Sequence, residues 1–253
     1  MLETFVANPP IGPAGGGFWP GTKIEVHGDE ASHTLRVKRL RAGDAVVALD
    51  GRGLVAMCRV ETVTLATSRR EIDKVGLVVD TSGVQPPLPP RLIVCSAVPK
   101  GSGLVEMLDG LSQVAAAEWR PLATERGVVE ATASDAKREK MERVCTEASK
   151  QCGRAWIMAV GPELTVAGLG AIAGLLGARL VIADADGEPW TGGGQDATTQ
   201  SPVVLAIGPE GGFTEAEIAT MLAAGGVKRR FGRNVLRIEV AAIAGAAVIM
   251  SGS

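Results

Sequence analysis

LAIGPEGGFTEAEI, residues 205 to 218, is the stretch that decides the fold. An apolar run ends abruptly at Gly208 and Pro209, two further glycines follow an acid, and a helix-start pattern begins at Thr214. Thr214 and Glu217 have the T-x-x-E spacing of a capping box, in which each residue satisfies the other's backbone amide. Ligands of open α/β sheets bind at the carboxyl ends of the strands, so this loop is a candidate ligand-binding loop.

The acids around the loop narrow the kind of ligand. Glu210, Glu215 and Glu217 lie near the helix start, where they would repel a phosphate. A neutral or cationic ligand whose ribose hydroxyls donate to a carboxylate fits better. The glycines alone also fit a plain tight turn with Glu210 in solvent.

The pattern on either side of a proline-dense stretch at 82–90 predicts two domains, 1–82 and 83–253, with that stretch as the linker. Short β-like runs and one helical pattern at 29–41 predict a small β-rich first domain. In the second domain apolar strands alternate with helices, which predicts an α/β fold with a mostly parallel buried sheet. Its predicted strands are 91–98, 156–160, 179–184 and 203–208, and its predicted helices are near 103–117, 133–150 and 165–177, from 214, and from about 239.

Composition limits the function classes. With 46% hydrophobic and 21% charged residues the 253-residue chain reads as globular, and at a formal net charge of -2 an RNA partner needs a local basic patch. The four cysteines form no C-x-x-C pattern and are expected to be mostly buried, reduced thiols of a cytoplasmic protein. No secretory signal or apolar stretch long enough to span a bilayer is visible, so we expect no membrane partner.

Two motifs together resemble a known family. IGPEGGFTEAEI and GRNVLRIEVAA are similar to the signature of the RsmE family of ribosomal RNA methyltransferases, GPEGG(F/L)(S/T)xxE followed by LRxET(A/T), with Val240 in place of the family threonine. Further landmarks occur in order along nearly the whole chain. They are HTLRVKRLRAGD (33–44), the Asp50-Gly51 turn, PLATERG (121–127) and EASKQCGRA (147–155), where Lys150 replaces a family glutamate.

One helix departs from the family pattern. Where the family has Q-K-x-x-E-L-G this chain reads DGLSQVA (109–115), with Gly110 and Gln113 in place of the lysine and the glutamate. The change is either the loss of a surface ion pair or a change in RNA handling. Two alternatives therefore stand beside an RsmE-type enzyme: a non-catalytic RNA-binding or ribosome-assembly protein, and a methyltransferase for another RNA.

The resemblance implies a fold and a reaction. The expected fold is a PUA-like β-barrel RNA-binding domain followed by a SPOUT-type α/β methyltransferase domain with a trefoil knot, in a homodimer. The expected reaction is methyl transfer from S-adenosylmethionine to N3 of a uridine in small-subunit (16S) ribosomal RNA, with the RNA or the 30S subunit as partner and with no metal.

The resemblance and the loop chemistry together give candidate site residues. The cofactor-binding candidates are Ile207, Gly208, Pro209, Glu210, Gly211, Gly212, Phe231, Gly232, Val235 and Leu236. For the proton that leaves N3, Glu239 is the candidate acceptor, and Arg154 or Arg237 the candidate stabiliser of the uridine anion. Arg237 equally fits a salt bridge with Glu239 or Glu210. The RNA-binding candidates, which also fit a solvated charged face, are Lys23, His33, Arg36, Lys38, Arg39 and Arg41.

Overall fold

The chain divides into two compact units. A computed structural model describes residues 2–5, 18–32, 35, 39–66, 73–128, 135–191 and 201–251. The first unit is Met1–Pro87 with Ser149–Trp156, and the second is Leu88–Ala148 with Ile157–Ser253. The division falls inside the stretch proposed as a linker, but residues 149–156 join the first unit, which the sequence did not indicate. Within the described ranges, no helix has the length and apolar character that a membrane crossing requires.

The first unit contains a five-stranded sheet in the order β1-β3-β4-β5-β2. Its strands are β1 (Leu2–Phe5), β2 (Lys23–His27), β3 (Ala45–Leu49), β4 (Leu54–Thr64) and β5 (Lys74–Val84). β1 pairs with β3 in parallel, and the other pairs are antiparallel. The strict alternation in β2, where Ile24 and Val26 are buried between exposed neighbours, is the period of a strand with one face on a core.

The predicted helix at 29–41 is confirmed at its start and wrong at its end. Helix α1 covers Asp29–Ser32, whereas Arg39 to Arg41 are not helical. Arg39 has φ 56, a left-handed conformation through which a right-handed helix cannot continue. Residues 33, 34 and 36–38 lie outside the described residues.

The turn that contains Asp50 contacts Trp156, which is remote in sequence but belongs to the same unit. Asp50 Oδ1 accepts hydrogen bonds from the amides of Arg52 (2.7 Å) and Leu54 (2.9 Å), which closes the turn between β3 and β4. The indole of Trp156 lies against Gly53 and its Nε1 donates to the Gln85 carbonyl at 2.8 Å. Trp156 forms only an isolated bridge, so the strand predicted at 156–160 was too long.

The second unit is built around a parallel sheet in the order β12-β10-β11-β6-β7-β8, with β9 paired to β7. Its strands are β6 (Leu92–Ser96), β7 (Glu118–Ala123), β8 (Ala159–Val160), β9 (Leu164–Thr165), β10 (Arg179–Pro189), β11 (Val203–Ile207) and β12 (Val227–Arg230). Its helices are α2 (Gly103–Gln113), α3 (Asp135–Cys152), α4 (Val166–Leu176), α5 (Glu215–Ala223) and α6 (Ile238–Ser251), although the last residues of α3 belong to the first unit. The predicted α/β class with a parallel sheet is confirmed, while the knot stays a prediction.

Helices cover both faces of this sheet. Every residue of β6 and β11 is buried, because alternate side chains enter two different apolar clusters. Leu205 packs in the cluster that contains α2 and α6, and Ala206 in the cluster that contains α4 and α5. The continuously apolar sequences of β6 and β11 follow from this three-layer packing, since neither face of these two strands meets water.

Three of the four cysteines are buried, as expected from the sequence. They are Cys58, Cys95 and Cys145, while Cys152 is exposed. Burial raises the pKa of the Cys58 thiol to about 11 and that of Cys95 to about 12. Both thiols are therefore protonated near neutral pH and act as small apolar groups rather than nucleophiles.

The departures from the family pattern in α2 have a packing explanation. A Cβ at Gly110 would stand 2.6 Å from Cδ1 of Ile243, so a side chain at residue 110 would displace Ile243 of α6. Ala115, which occupies the family's glycine position, has φ 66 just past the end of α2. A left-handed residue at this position commonly ends a helix, and glycine adopts it without strain.

Ala115→Gly should therefore stabilise the protein. Glycine relieves the strain of the left-handed conformation, but its greater freedom in the unfolded chain offsets part of this gain. The net effect should raise the free energy of unfolding by about 0.5–1 kcal/mol. Denaturant titration measures it. The control is Ala171→Gly, at an exposed position inside α4, which should lower stability by about 0.5–1 kcal/mol. A destabilised Ala115→Gly would contradict the strain.

Candidate functional site

A cavity of about 350 Å³ opens at the carboxyl end of β11. Two loops line it: the glycine loop, residues 208–212, which follows β11, and the second loop, residues 231–236, which joins β12 to α6. The first turn of α6 and residues 183–185 of β10 complete the wall. The cavity thus lies at the sheet edge where α/β proteins bind ligands, and its volume falls within the ~300–1,000 Å³ usual for small-molecule sites.

All ten residues predicted to bind a cofactor line this cavity. They are Ile207, Gly208, Pro209, Glu210, Gly211, Gly212, Phe231, Gly232, Val235 and Leu236. The structure therefore brings together two loops that are separated in the sequence by α5 and β12. The wall also contains residues that the sequence analysis did not single out, namely Ala183, Asp184, Ala185, Phe213, Arg229, Arg230, Asn234, Ile238 and Ala241.

The glycine loop is a tight turn with little room for side chains. The Gly212 amide donates to the Pro209 carbonyl at 2.8 Å, and Gly212 has φ 69, which an L side chain rarely adopts. A Cβ at Gly208 would stand 3.1 Å from the ring of Phe213. The glycines hence leave backbone atoms, rather than side chains, on this part of the cavity wall.

The predicted capping box at the start of α5 is confirmed. The Glu217 amide donates to Thr214 Oγ1 at 3.2 Å, and the Thr214 amide donates to Glu217 Oε2 at 2.8 Å. Glu217 is buried, and its Oε1 accepts a third hydrogen bond from the Glu125 amide at 2.9 Å. Of the three acids near the helix start, only Glu210 lines the cavity.

Asp184 is a second carboxylate on the cavity wall. Its Oδ2 lies 3.0 Å from Lys228 Nζ, and its Oδ1 accepts from the Asp186 amide at 2.8 Å. β10 bulges here, since Ala183 and Glu188 both pair with Arg229. The acidic DADGE run inside an otherwise apolar strand was the available signal for this feature, because such a run does not fit a buried strand.

The predicted catalytic residues do not line the cavity. Glu239 lies in the first turn of α6, where its Oε2 would be 3.3 Å from a Cβ at Gly103, the first residue of α2. Arg237 is exposed and, within the described part of the chain, forms no ion pair with Glu239 or Glu210. Arg154 belongs to the first unit, where its amide donates to the Ser149 carbonyl at 2.9 Å.

The described RNA-binding candidates are all exposed. Lys23 lies 2.8 Å from Glu61, so part of its charge is balanced. Arg39 and Arg41 lie between α1 and β3. His33, Arg36 and Lys38 lie outside the described residues. Lys150, which replaces a family glutamate, forms an ion pair with Glu30 in the same unit.

Family profiles match both units. The RNA methyltransferase PUA domain matches residues 26–64, and the RNA methyltransferase domain matches residues 86–250, more than half of the chain. The chain belongs to the RNA methyltransferase domain family. The match places the cavity, both loops and α6 inside the family domain.

Named relatives agree with this assignment. The chain is similar to "Ribosomal RNA small subunit methyltransferase E" of Synechocystis, with 32% identity over 81% of this chain and 65% of that protein, just under two thirds of its length. It is 25% identical to the Bacillus subtilis protein of the same name over 86% of each chain. A Neisseria gonorrhoeae structure with that name, bound to S-adenosyl methionine, is 19% identical but has the same fold, with a TM-score of 0.76 over 99% of this chain and 97% of that chain.

Across the described ranges, no group of three or more histidine, cysteine, aspartate or glutamate side chains is placed to hold a metal ion.

Glu217→Ala tests the hydrogen-bonded start of α5. Because the buried carboxylate accepts from the amides of Thr214 and Glu125, its loss should lower the free energy of unfolding by about 2–3 kcal/mol. Glu215→Ala, which removes an exposed acid from the same helical turn, is the control and should cost below about 1 kcal/mol. Equal losses in the two variants, measured by denaturant titration, would contradict this role of Glu217.

Proposed function

We propose that this chain transfers a methyl group from S-adenosylmethionine to N3 of a uridine in small-subunit ribosomal RNA. The observation that carries the proposal is the meeting of the glycine loop and the second loop, the two family motifs, on one cavity at the carboxyl end of β11. Family membership supplies the reaction class, and the names of the relatives supply the small-subunit RNA substrate.

The cavity wall fits an adenosyl sulfonium. Gly208, Gly211 and Gly212 present backbone that a flat base can approach closely, and Phe231 adds an aromatic surface beside them. Glu210 is an acceptor for ribose hydroxyls and places negative charge near a cationic ligand, and Asp184, whose charge Lys228 balances, is a second acceptor. When bound, S-adenosylmethionine supplies a methyl group attached to a sulfonium, and the thioether is the leaving group.

The residues of the chain have two remaining tasks, alignment and proton removal. The two loops would hold a bound donor in one orientation, so that an incoming base would meet the methyl group in line. N3 of uridine carries a proton that must leave, so an acceptor or an anion stabiliser must stand beside it. Glu239, Arg237 and Arg154 remain the candidates, and their position off the cofactor cavity is compatible with contact to the RNA rather than to the donor.

RNA contact is assigned to the first unit. Its match to the RNA methyltransferase PUA domain and the exposed cations Lys23, Arg39 and Arg41 support this role. We expect His33, Arg36 and Lys38 to add to the same charge. Aromatic residues make up 3% of the chain and tyrosine is absent, so phosphate and shape contacts should dominate and the affinity should fall with salt.

The proposal includes a homodimer in the cytoplasm. α2 and α6 pack against each other and leave Val105, Val240 and Val248 exposed. Apolar side chains on neighbouring helices are a suitable contact for a second copy of the chain. A substrate in the small ribosomal subunit supports the cytoplasmic location.

Incubation of the purified protein with unmodified small subunits and methyl-labelled S-adenosylmethionine tests the function. The label is expected on a single uridine, at N3, and mass spectrometry of nuclease fragments locates it. A labelled nucleotide in another RNA would favour the alternative of a methyltransferase that acts on a different RNA. Cofactor binding without transfer to any RNA would favour the non-catalytic RNA-binding protein.

Gly212→Ala tests the contribution of the glycine loop to cofactor binding. The variant strains a left-handed residue by about 1–2 kcal/mol, and the loop can relieve this strain by leaving the binding geometry, so the affinity for S-adenosylmethionine should fall ~10-fold in calorimetric titration. Gly225→Ala is the control. Gly225 also has a positive φ and open space around it, but it lies past the end of α5 and not on the cavity. Similar affinities in the two variants would contradict the placement of the cofactor.

A further inference from the structure

We propose that the β7 loop, residues 124–127, clamps the glycine loop from outside the cavity and that Arg126 is a positioning residue for the cofactor. The inference rests on the proposed function, because it concerns how the same cavity is kept ready to bind. It starts from two hydrogen bonds that join segments about 90 residues apart in the chain.

The first contact fixes the turn of the glycine loop. Arg126 Nη1 donates to the Gly211 carbonyl at 2.7 Å. Gly211 is exposed and lies inside the turn that the Pro209–Gly212 hydrogen bond closes, shortly before the start of α5. The peptide unit between Gly211 and Gly212 is therefore held at both ends, because its amide donates to the Pro209 carbonyl and its carbonyl accepts from the guanidinium.

The second contact fixes the point where the glycine loop enters α5. The Glu125 amide donates to Oε1 of Glu217, while Oε2 of the same carboxylate accepts from the Thr214 amide. One buried carboxylate therefore connects the β7 loop to the first turn of the helix. The two contacts, from neighbouring residues 125 and 126, bracket the segment 211–217.

The sheet order shows that these contacts join two strands that are not neighbours. β7 is not a neighbour of β11, because β6 lies between them in the order β11-β6-β7. The β7 loop consequently reaches past the end of β6 to touch the glycine loop. Its own shape is a tight turn in which the Gly127 amide donates to the Thr124 carbonyl at 3.1 Å, and a Cβ at Gly127 would stand 2.9 Å from Thr124 Oγ1.

The clamp acts on binding more than on global stability. Arg126 is exposed, so its hydrogen bond contributes little to the free energy of unfolding. A glycine-rich turn, however, loses conformational freedom when a ligand orders it, and a contact that orders the turn beforehand removes that cost from binding. The benefit should appear in the affinity for the donor and not in the rate of transfer at saturating donor.

Arg126→Ala and Arg126→Lys test the clamp in the full-length protein. Arg126→Ala should weaken S-adenosylmethionine binding and raise its KM ~10-fold, with kcat at saturating donor and the melting temperature little changed. Arg126→Lys should recover part of the affinity, because a single ammonium donor reaches the carbonyl with a less rigid geometry. The matched control is Arg138→Ala. Arg138 also donates to a backbone carbonyl, that of Val160 at 2.8 Å, but neither residue lines the cavity. This variant should bind the cofactor like the wild type.

Hydrogen exchange of the ligand-free protein separates the clamp from the proposed function. Arg126→Ala should speed exchange of the amides at 211–214, whereas Arg138→Ala should not. If the wild type fails to bind S-adenosylmethionine, the proposed function fails while this exchange result still decides the clamp. Unchanged exchange and unchanged affinity in Arg126→Ala, or equal losses in Arg126→Ala and Arg138→Ala, would overturn the inference.

Discussion

The parallel pairing of β11 between β10 and β6 is the constraint on which the rest of the second unit depends. Val203–Ile207 is buried on both faces and pairs along its whole length with Arg179–Ala183 on one side and Leu92–Ser96 on the other. Because all three strands run in the same direction, their following loops emerge at one edge. The glycine loop therefore begins from a rigid strand end, and the wall residues of β10 lie beside it.

The turn itself depends on contacts that satisfy its polar groups. Gly212 adopts a left-handed conformation that favours glycine, and Arg126 and Glu217 hold the backbone at Gly211 and Thr214, just before α5. Burial of a carboxylate costs free energy unless it is fully hydrogen-bonded, which Glu217 achieves through amides from two segments. The same group that caps α5 therefore also connects it to the β7 loop.

Local patterns explain which features the sequence could predict. Continuous apolar runs predicted β6 and β11, the abrupt end at Gly208 predicted the loop after β11, and the T-x-x-E spacing predicted the capping box. The two family motifs predicted ten residues that share one cavity. Features that depend on distant contacts left no such signal. Three such features arise from packing between segments remote in sequence. They are the Arg126–Gly211 hydrogen bond, the place of residues 149–156 in the first unit, and the bulge that brings Asp184 to the cavity. From the sequence, Gly110 indicates only the loss of the family's lysine. The structure shows that a side chain at residue 110 would collide with Ile243, so the glycine permits close packing there.

A crystal structure with S-adenosylhomocysteine, the product left after methyl transfer, tests the central claim most directly. We expect the adenosyl group to lie against the backbone of residues 208–212 and to be enclosed on its other side by residues 231–236. A ligand bound elsewhere, or contacting one of these loops while the other remains apart from it, would contradict the account.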